Sequence, residues 1–333
     1  MSQSKKVRFI DLFAGVGGIR IPFSELGCEC VFTSEIDEKA ARTYELNFHE
    51  QPSGDIRNYE SPEIPAHDLL LAGFPCQPFS LAGLKQGFGD STRGTLFFEI
   101  ARIVEFHKPV ALVLENVKGL VNHDKGNTMR VIEHRLDELG YWVQSKVLNA
   151  RDFGLPQNRE RIYIVALRKD CVGSWEFDFP EAPRSRTRVG SILEPASKVG
   201  DDYTISDRLW AGHQRRRREH AARGNGFGYS LFTKDSPYTS TISARYYKDG
   251  SEILIDQGLD EAGRPKNPRK LTPREAARLQ GFPESFVLNP SASQAYKQFG
   301  NAVAVPVVRA IAVNLVPIIK KAKQRLAQSD RPS

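Results

Sequence analysis

The chain has 333 residues, 40% apolar and 26% charged, and its 47 Lys/Arg against 40 Asp/Glu leave a formal charge of +7. That is the composition of a globular protein long enough for a sizeable core and for two domains. No run of about eighteen apolar residues could span a bilayer, and MSQSKK leads straight into an apolar strand, which predicts a cytoplasmic protein with no membrane partner.

Four cysteines (Cys28, Cys30, Cys76 and Cys171) contain no CxxC pair and are too few for a disulfide framework or a zinc site, so no metal is expected. Residues 1–165 hold 19 Lys/Arg and 22 Asp/Glu, whereas residues 166–333 hold 28 and 18. A basic half beside a near-neutral half suggests a polyanionic partner, the plainer alternative being a solvated surface.

Residues 7–13 (VRFIDLF) read as a first strand, followed by glycines and a helix over 17–26. Further strands are predicted at 30–36, 68–74, 110–117, 142–149 and 161–167, with helices at 95–107 and 127–139, where apolar residues recur at three- and four-residue spacing. This alternation predicts a doubly wound, Rossmann-like α/β domain whose parallel sheet is covered by helices on both faces. Over 168–268 the periodicity gives way to prolines, glycines, aromatics and the basic run Arg215, Arg216, Arg217 and Arg218, so a smaller inserted strand-and-loop module is predicted. Thr272 at N-cap, Pro273 at N1 and Glu275 at N3 then form a capping box opening a helix to Leu279, and an amphipathic helix follows over 305–321.

Phe13, Gly15, Gly17 and Gly18 lie in FAGVGG, between the first strand and its helix, where an open α/β sheet takes up a nucleotide. Glu35 ends the second strand, placed to accept hydrogen bonds from ribose hydroxyls. Glycine turn and acid together occur in dehydrogenases and in S-adenosylmethionine enzymes, but the spacing G-x-G-G disfavours the former.

Cys76 follows an apolar strand within GFPCQPFS, and prolines on both sides hold its thiol in a loop at the sheet's carboxyl edge. It reads as a nucleophile, against the alternative of a small buried hydrophobe. Arg159 and Arg161, in QNRERIYIV, are candidates for the positive neighbours a thiolate needs. Glu115 ends the strand VALVLEN at the same edge; buried there, a carboxyl would have a raised pKa and act as a proton donor.

The ordered set FAGVGG, SEID, GDIR, GFPCQPFS, TRGTLFFEI, LENVKGL, QNRERIYIV, RKLTPREAARLQGFP and QFGNAVAVPV resembles the bacterial DNA (cytosine-C5) methyltransferases, motif for motif and over nearly the whole chain. The resemblance implies S-adenosyl-L-methionine as methyl donor and a cytosine of double-stranded DNA as acceptor. It further implies that Cys76 adds to C6 while Glu115 donates to N3, which makes C5 nucleophilic enough to take the methyl group. Arg159 and Arg161 would orient base and phosphate. Cofactor contacts carry over to Phe13, Gly15, Gly17, Gly18, Glu35, Ile36, Asp55, Ile56, Gly73, Pro75, Leu96, Asn301 and Val303, and Asp11 falls in the first motif with a role in stabilising the turn.

A base inside a duplex must be flipped to meet the thiol. Residues 77–92 are expected to form a closing loop hinged at Gly83, Gly87 and Gly89, with Ser80, Lys85 and Arg93 at the DNA. The expected division is a discontinuous catalytic domain, 1–170 and 269–333, around a target-recognition domain, 171–268. Within the latter, Thr241 with Ile242 matches the family's Thr-Leu pair, Asn225 is placed to fill the gap left by the flipped base, and Arg245, Tyr246 and Tyr247 read guanine or touch the backbone. The arginine run would bind phosphates. This region is similar to enzymes of the Dcm type and to relatives acting on CCNGG or CCGG, which implies a CC…GG palindrome. A restriction–modification setting is expected, with a monomeric methyltransferase and a cognate restriction endonuclease acting independently. The rivals are a tRNA cytosine-C5 methyltransferase, a catalytically silent DNA-binding homologue and a nicotinamide dehydrogenase.

Overall fold

A computed structural model describes residues 6–75, 96–183 and 187–329. In chain order they form β1 (Arg8–Leu12), α1 (Arg20–Glu25), β2 (Glu29–Ser34), α2 (Glu38–Phe48), β3 (Leu69–Gly73), α3 (Leu96–His107), β4 (Ala111–Val117), α4 (Asn127–Glu138), β5 (Tyr141–Asn149), β6 (Glu160–Arg168), α5 (Lys169–Val172), α6 (Asp207–Ala222), β7 (Leu231–Phe232), β8 (Leu254–Ile255), α7 (Pro273–Leu279), α8 (Ala292–Asn301) and α9 (Val305–Ser329). Among these residues no single helix is long and apolar enough to cross a membrane.

The chain divides into two compact units, one comprising Met1–Leu148, Glu160–Glu181 and Val307–Ser333, the other Asn149–Arg159 and Ala182–Pro306. These bounds depart from the expected 170 and 269: α7 and α8 group with the second unit, and the return to the first comes at Val307. The first unit holds 25 Lys/Arg and 26 Asp/Glu and the second 22 and 14, so the positive excess belongs to the second unit as a whole.

The sheet of the first unit has the order β2-β1-β3-β4-β6-β5. Strands β3 and β4 are central, and their near-continuous apolar runs (LLLAG, ALVLENV) are what burial on both faces demands. Pairings β1/β2, β1/β3 and β3/β4 are parallel, but β6 runs antiparallel to β4. The expectation of a wholly parallel sheet is thereby corrected: only residues 150–159 separate β5 from β6, fewer than a helical crossover needs. One face packs Ile10, Leu12, Leu70, Leu112 and Leu114 against Ile100 and Val104 of α3 and Ile132 and Leu136 of α4. Helix α9 extends beyond the expected 305–321 and is tied to this unit by Lys323, whose ammonium lies 2.6 Å from Asp68, and by Lys321, 2.9 Å from Glu176.

The second unit contains short strands and loops, as expected, and also the sixteen-residue α6. That helix buries only His213, so its sequence lacks the apolar stripe that would have signalled it. The capping box forms as read: Thr272 Oγ1 accepts from the Glu275 amide at 3.1 Å, and Glu275 accepts from the Thr272 amide at 2.9 Å. Glu275 also receives both Nη atoms of Arg269, at 2.7 and 2.8 Å, a buried pair invisible to local sequence.

Candidate active site

The chain crosses from β1 outward to β2 and from β3 the other way to β4, so the sheet reverses its winding between β1 and β3. A crevice opens at the carboxyl ends of such strands. Phe13 leaves β1 with φ +56°, a conformation costly for a residue with a side chain, and Gly15 and Gly17 follow at +57° and +85°. Space for a ligand lies beside Gly15, where an added Cβ would meet nothing within 4 Å. Gly17 faces the interior instead: its added Cβ would lie 2.2 Å from the Phe48 ring, so only glycine lets the turn rest on α2. Gly18 is buried beside it.

Glu35 ties two strand exits together, accepting from the Gly15 amide and from the Asp37 amide at 2.7 Å each. Burial pushes its carboxyl upward, opposed by those amides. A carboxylate has about four acceptor positions, so these amides do not exhaust its capacity for a hydroxyl donor. Ile36, next to it, is 65% exposed, an apolar surface suited to a flat ring. Asp55 caps a short helical turn and receives the Arg57 guanidinium, which holds its carboxyl below the usual range. The Ile56 side chain lies in the core, so only its backbone is free for an adenine. These residues fit an adenosine-bearing cofactor. Gly73, Pro75 and Leu96 flank the exit of β3 and the start of α3.

Glu115 pairs with Gly73 across the parallel β3/β4 ladder, and its carboxylate lies 3.7 Å from where a Cβ on Gly73 would stand. Arg161 reaches it from the antiparallel β6, Nε to Oε1 3.3 Å, both side chains largely buried. The reversal of β6 thus sets Arg161 opposite Val117 and Ile162 opposite Asn116 at the end of β4. Asn116, missed in the sequence, donates from Nδ2 to the Phe74 carbonyl at 2.8 Å and fixes the chain as it leaves β3. Cys76, the next-but-one residue, lies outside the described residues, as do Ser80, Lys85, Arg93 and the expected closing loop.

Arg159 is the residue that the motif assigns, with Arg161, to base and phosphate. It belongs to the second unit, is 2% exposed, and spends its guanidinium on the carbonyls of Ile242 (3.2 Å), Gly300 (3.1 Å) and Ala302 (2.7 Å). It clamps the TIS segment to the end of α8, where Gly300 permits backbone contact that a Cβ would block at 2.3 Å from Ser243. Gln157, also missed, serves the same junction, accepting from the Ile242 amide and donating to the Leu279 carbonyl. Thr241 donates to the Asn158 carbonyl at 2.6 Å. Asn301 is exposed at the end of α8 and Val303 is buried.

Tyr246, expected at the DNA, is fully buried: its hydroxyl donates to the Ile253 carbonyl at 2.7 Å and accepts the Leu271 amide at 2.8 Å. Its ring packs edge-on against Tyr296, so it is a core residue. Arg245, Tyr247 and Asn225 are exposed. In α6, Arg216 turns to Asp249 and Arg217 covers the Tyr229 ring.

A mixed α/β sheet with a glycine turn, a strand-end acid and a buried Glu–Arg pair on one carboxyl edge has the form of an enzyme that takes up a nucleoside-bearing cofactor. Residues 7–316 match the family described as C-5 cytosine-specific DNA methylase. The chain is 55% identical to the type II methyltransferase M.DsaV of Dactylococcopsis salina over 97% of its length and 90% of that protein's. It is 43% identical to the DNA-cytosine methyltransferase of Escherichia coli K12, over 98% of this chain and 81% of that one. The crystal structure of Schizosaccharomyces pombe Dnmt2 methyltransferase superposes with a TM-score of 0.71 at 21% identity, covering 94% of this chain and 99% of that one. The chain belongs to the C-5 cytosine-specific DNA methylase family and is a DNA cytosine-C5 methyltransferase.

Proposed function

We propose that the chain methylates one cytosine of a CC…GG palindrome in double-stranded DNA, using S-adenosyl-L-methionine, as the cytoplasmic methyltransferase of a restriction–modification system. It works as a monomer, and its cognate endonuclease acts independently. The observation that carries the chemistry is the shared sheet edge of Gly15, Glu35, Gly73, Glu115 and Arg161. Support for the DNA setting comes from 55% identity to type II methyltransferases along almost the whole chain and from the basic second unit.

Phe13, Gly15, Gly17, Gly18, Glu35, Ile36, Asp55, Ile56, Gly73, Pro75 and Leu96 hold the cofactor; Asn301 and Val303 are assigned from their motif. When bound, the cofactor supplies the methyl group. Cys76 adds as thiolate to C6 of the flipped base, opening the C5–C6 double bond, and Glu115 delivers a proton to N3 so that negative charge does not accumulate on the ring; once C5 has taken the methyl group, loss of the C5 proton expels the thiolate and restores the double bond. Arg161 holds the Glu115 carboxyl in place and offers a fixed donor toward the base. Arg215, Arg218 and Arg245 meet DNA phosphates or guanine edges, whereas Arg216 and Arg217 support the helix that carries them.

The test is transfer of label from tritiated S-adenosyl-L-methionine to duplex DNA, tRNA or neither, with bisulfite sequencing of the product. Label in CC…GG sites of duplex DNA is expected. Label only in tRNA, or only outside such sites, contradicts the substrate assignment.

A further inference from the structure

The glycine turn rests on something the sequence motif does not contain. Gly17 lies against Phe48 and Tyr44, near the C-terminal end of α2. Those two rings, 4.5 Å apart between centroids, are covered by the Arg20 guanidinium, which lies 4.4 Å from the Phe48 centroid and 5.4 Å from that of Tyr44. Arg20 is the first residue of α1, directly after the turn, and is itself buried. Glu50 fixes its direction by a two-pronged ion pair, Nη1–Oε2 2.6 Å and Nη2–Oε1 2.9 Å. The same Nη1 donates to the Tyr44 hydroxyl at 2.6 Å, and that hydroxyl bonds Thr33 of β2 at 2.9 Å.

Helix α2 therefore touches both ends of the proposed cofactor site. Its N-cap residue Asp37 gives its amide to Glu35, and its last turn bears on Gly17. Gly17 is packed closely enough on the Phe48 ring that even a methyl group would not fit between them, so the position of that ring bears directly on the glycine turn beside the Glu35 carboxylate.

We propose that Arg20 and Glu50, acting through the Tyr44 and Phe48 rings, are positioning residues that set the affinity for S-adenosyl-L-methionine; this rests on the cofactor reading given above. The guanidinium does two jobs: its charge lies over the Phe48 and Tyr44 rings while its fork is held by the carboxylate, so lysine replaces neither fully. Glu50 touches no ligand in this scheme and acts only on Arg20.

The experiment measures kcat, KM for S-adenosyl-L-methionine and KM for duplex DNA in the full-length protein and its Glu50→Ala and Arg20→Lys variants. Affinity for S-adenosyl-L-homocysteine is measured by calorimetry, and Glu105→Ala serves as control because Glu105 pairs with Arg135 between α3 and α4 rather than at the turn. Circular dichroism melts establish that each variant is folded. About tenfold weaker binding, some 1.4 kcal/mol, is expected for both cofactor forms by the same factor, since the turn holds the part they share. The kcat and the DNA KM stay within about twofold of wild type, and Glu105→Ala changes nothing. Cofactor affinities unchanged in both folded variants overturn the proposal, as does an equal fall in every parameter, which marks a merely structural pair. A wild-type chain that binds neither compound instead overturns the cofactor reading, and the proposal with it.

Discussion

Asp11 lies in β1 with both carboxylate oxygens buried and without a hydrogen-bond partner among the described residues. Desolvation lifts its carboxyl from 3.8 to about 7; the Arg20 charge opposes the rise and the Glu35 charge adds to it. In the unfolded chain the group releases its proton near 3.8, so between that pH and about 7 the folded state holds a proton that the unfolded state has lost. The stabilisation from a neutral Asp11 is complete below 3.8, declines as pH rises to about 7, and is gone above it. At about 1.4 kcal/mol per pH unit, that window is worth roughly 4 kcal/mol, with no discount for solvent because the group is wholly buried. Asp11→Asn keeps the shape and removes the titration. Urea denaturation of wild type and variant at a series of pH values isolates the effect, since every group not coupled to Asp11 cancels in the difference. The advantage of the asparagine variant should grow by about 4 kcal/mol from pH 4 to 7.5 and then level off. A difference constant across that range would refute the assignment of a buried, protonated carboxyl.

Arg159→Ala removes a donor from three carbonyls of the second unit, of which Ala302 keeps Gln280 Nε2 at 3.3 Å, and should lower stability by about 2–4 kcal/mol, seen as a reduced melting temperature. Arg159→Lys should recover only part of it, because one ammonium cannot reach all three; full recovery argues against the clamp. Tyr246→Phe should cost about 1–3 kcal/mol through the Leu271 amide and Ile253 carbonyl it abandons, with DNA affinity unaltered at temperatures where the protein is folded. Arg245→Ala should behave in the opposite way, with an unchanged melt and weaker DNA binding whose salt dependence is shallower by about one phosphate contact. If Tyr246→Phe weakens DNA binding while Arg245→Ala does not, the two positions have been placed the wrong way round.

What could be read from the sequence was whatever local chemistry determines. The strands β3 and β4 announce themselves as apolar runs, and Glu115 stands out because a carboxylate ends one of them. Thr272, Pro273 and Glu275 specify a helix start within four residues, and it forms as read. Strand direction left no such mark, since an apolar run such as RIYIVALR is the same pattern read either way, and only the short link from β5 hinted that β6 is reversed. Tyr246 looked exposed because it lies among Arg, Tyr and Lys, yet its fate was settled by the distant Leu271 and Tyr296. The same holds for Arg159, whose partners lie at 242, 300 and 302, and for Gly17, whose need for glycine comes from Phe48 rather than from a ligand. Helix α6 escaped because a helix that buries one residue has no apolar period to detect.

In the proposed reaction Cys76 attacks cytosine C6 while the Glu115–Arg161 edge manages the proton at N3. A duplex carrying 5-fluorocytosine at the target position tests it directly, because fluorine at C5 cannot leave as a proton and the thiol therefore cannot be expelled. With S-adenosyl-L-methionine present, denaturing electrophoresis and intact-mass measurement should show a one-to-one covalent complex whose cross-linked peptide contains Cys76. The complex should be absent in Cys76→Ser and form much more slowly in Glu115→Gln. A complex that survives Cys76→Ser, or efficient methylation of ordinary DNA by that variant, would contradict the account.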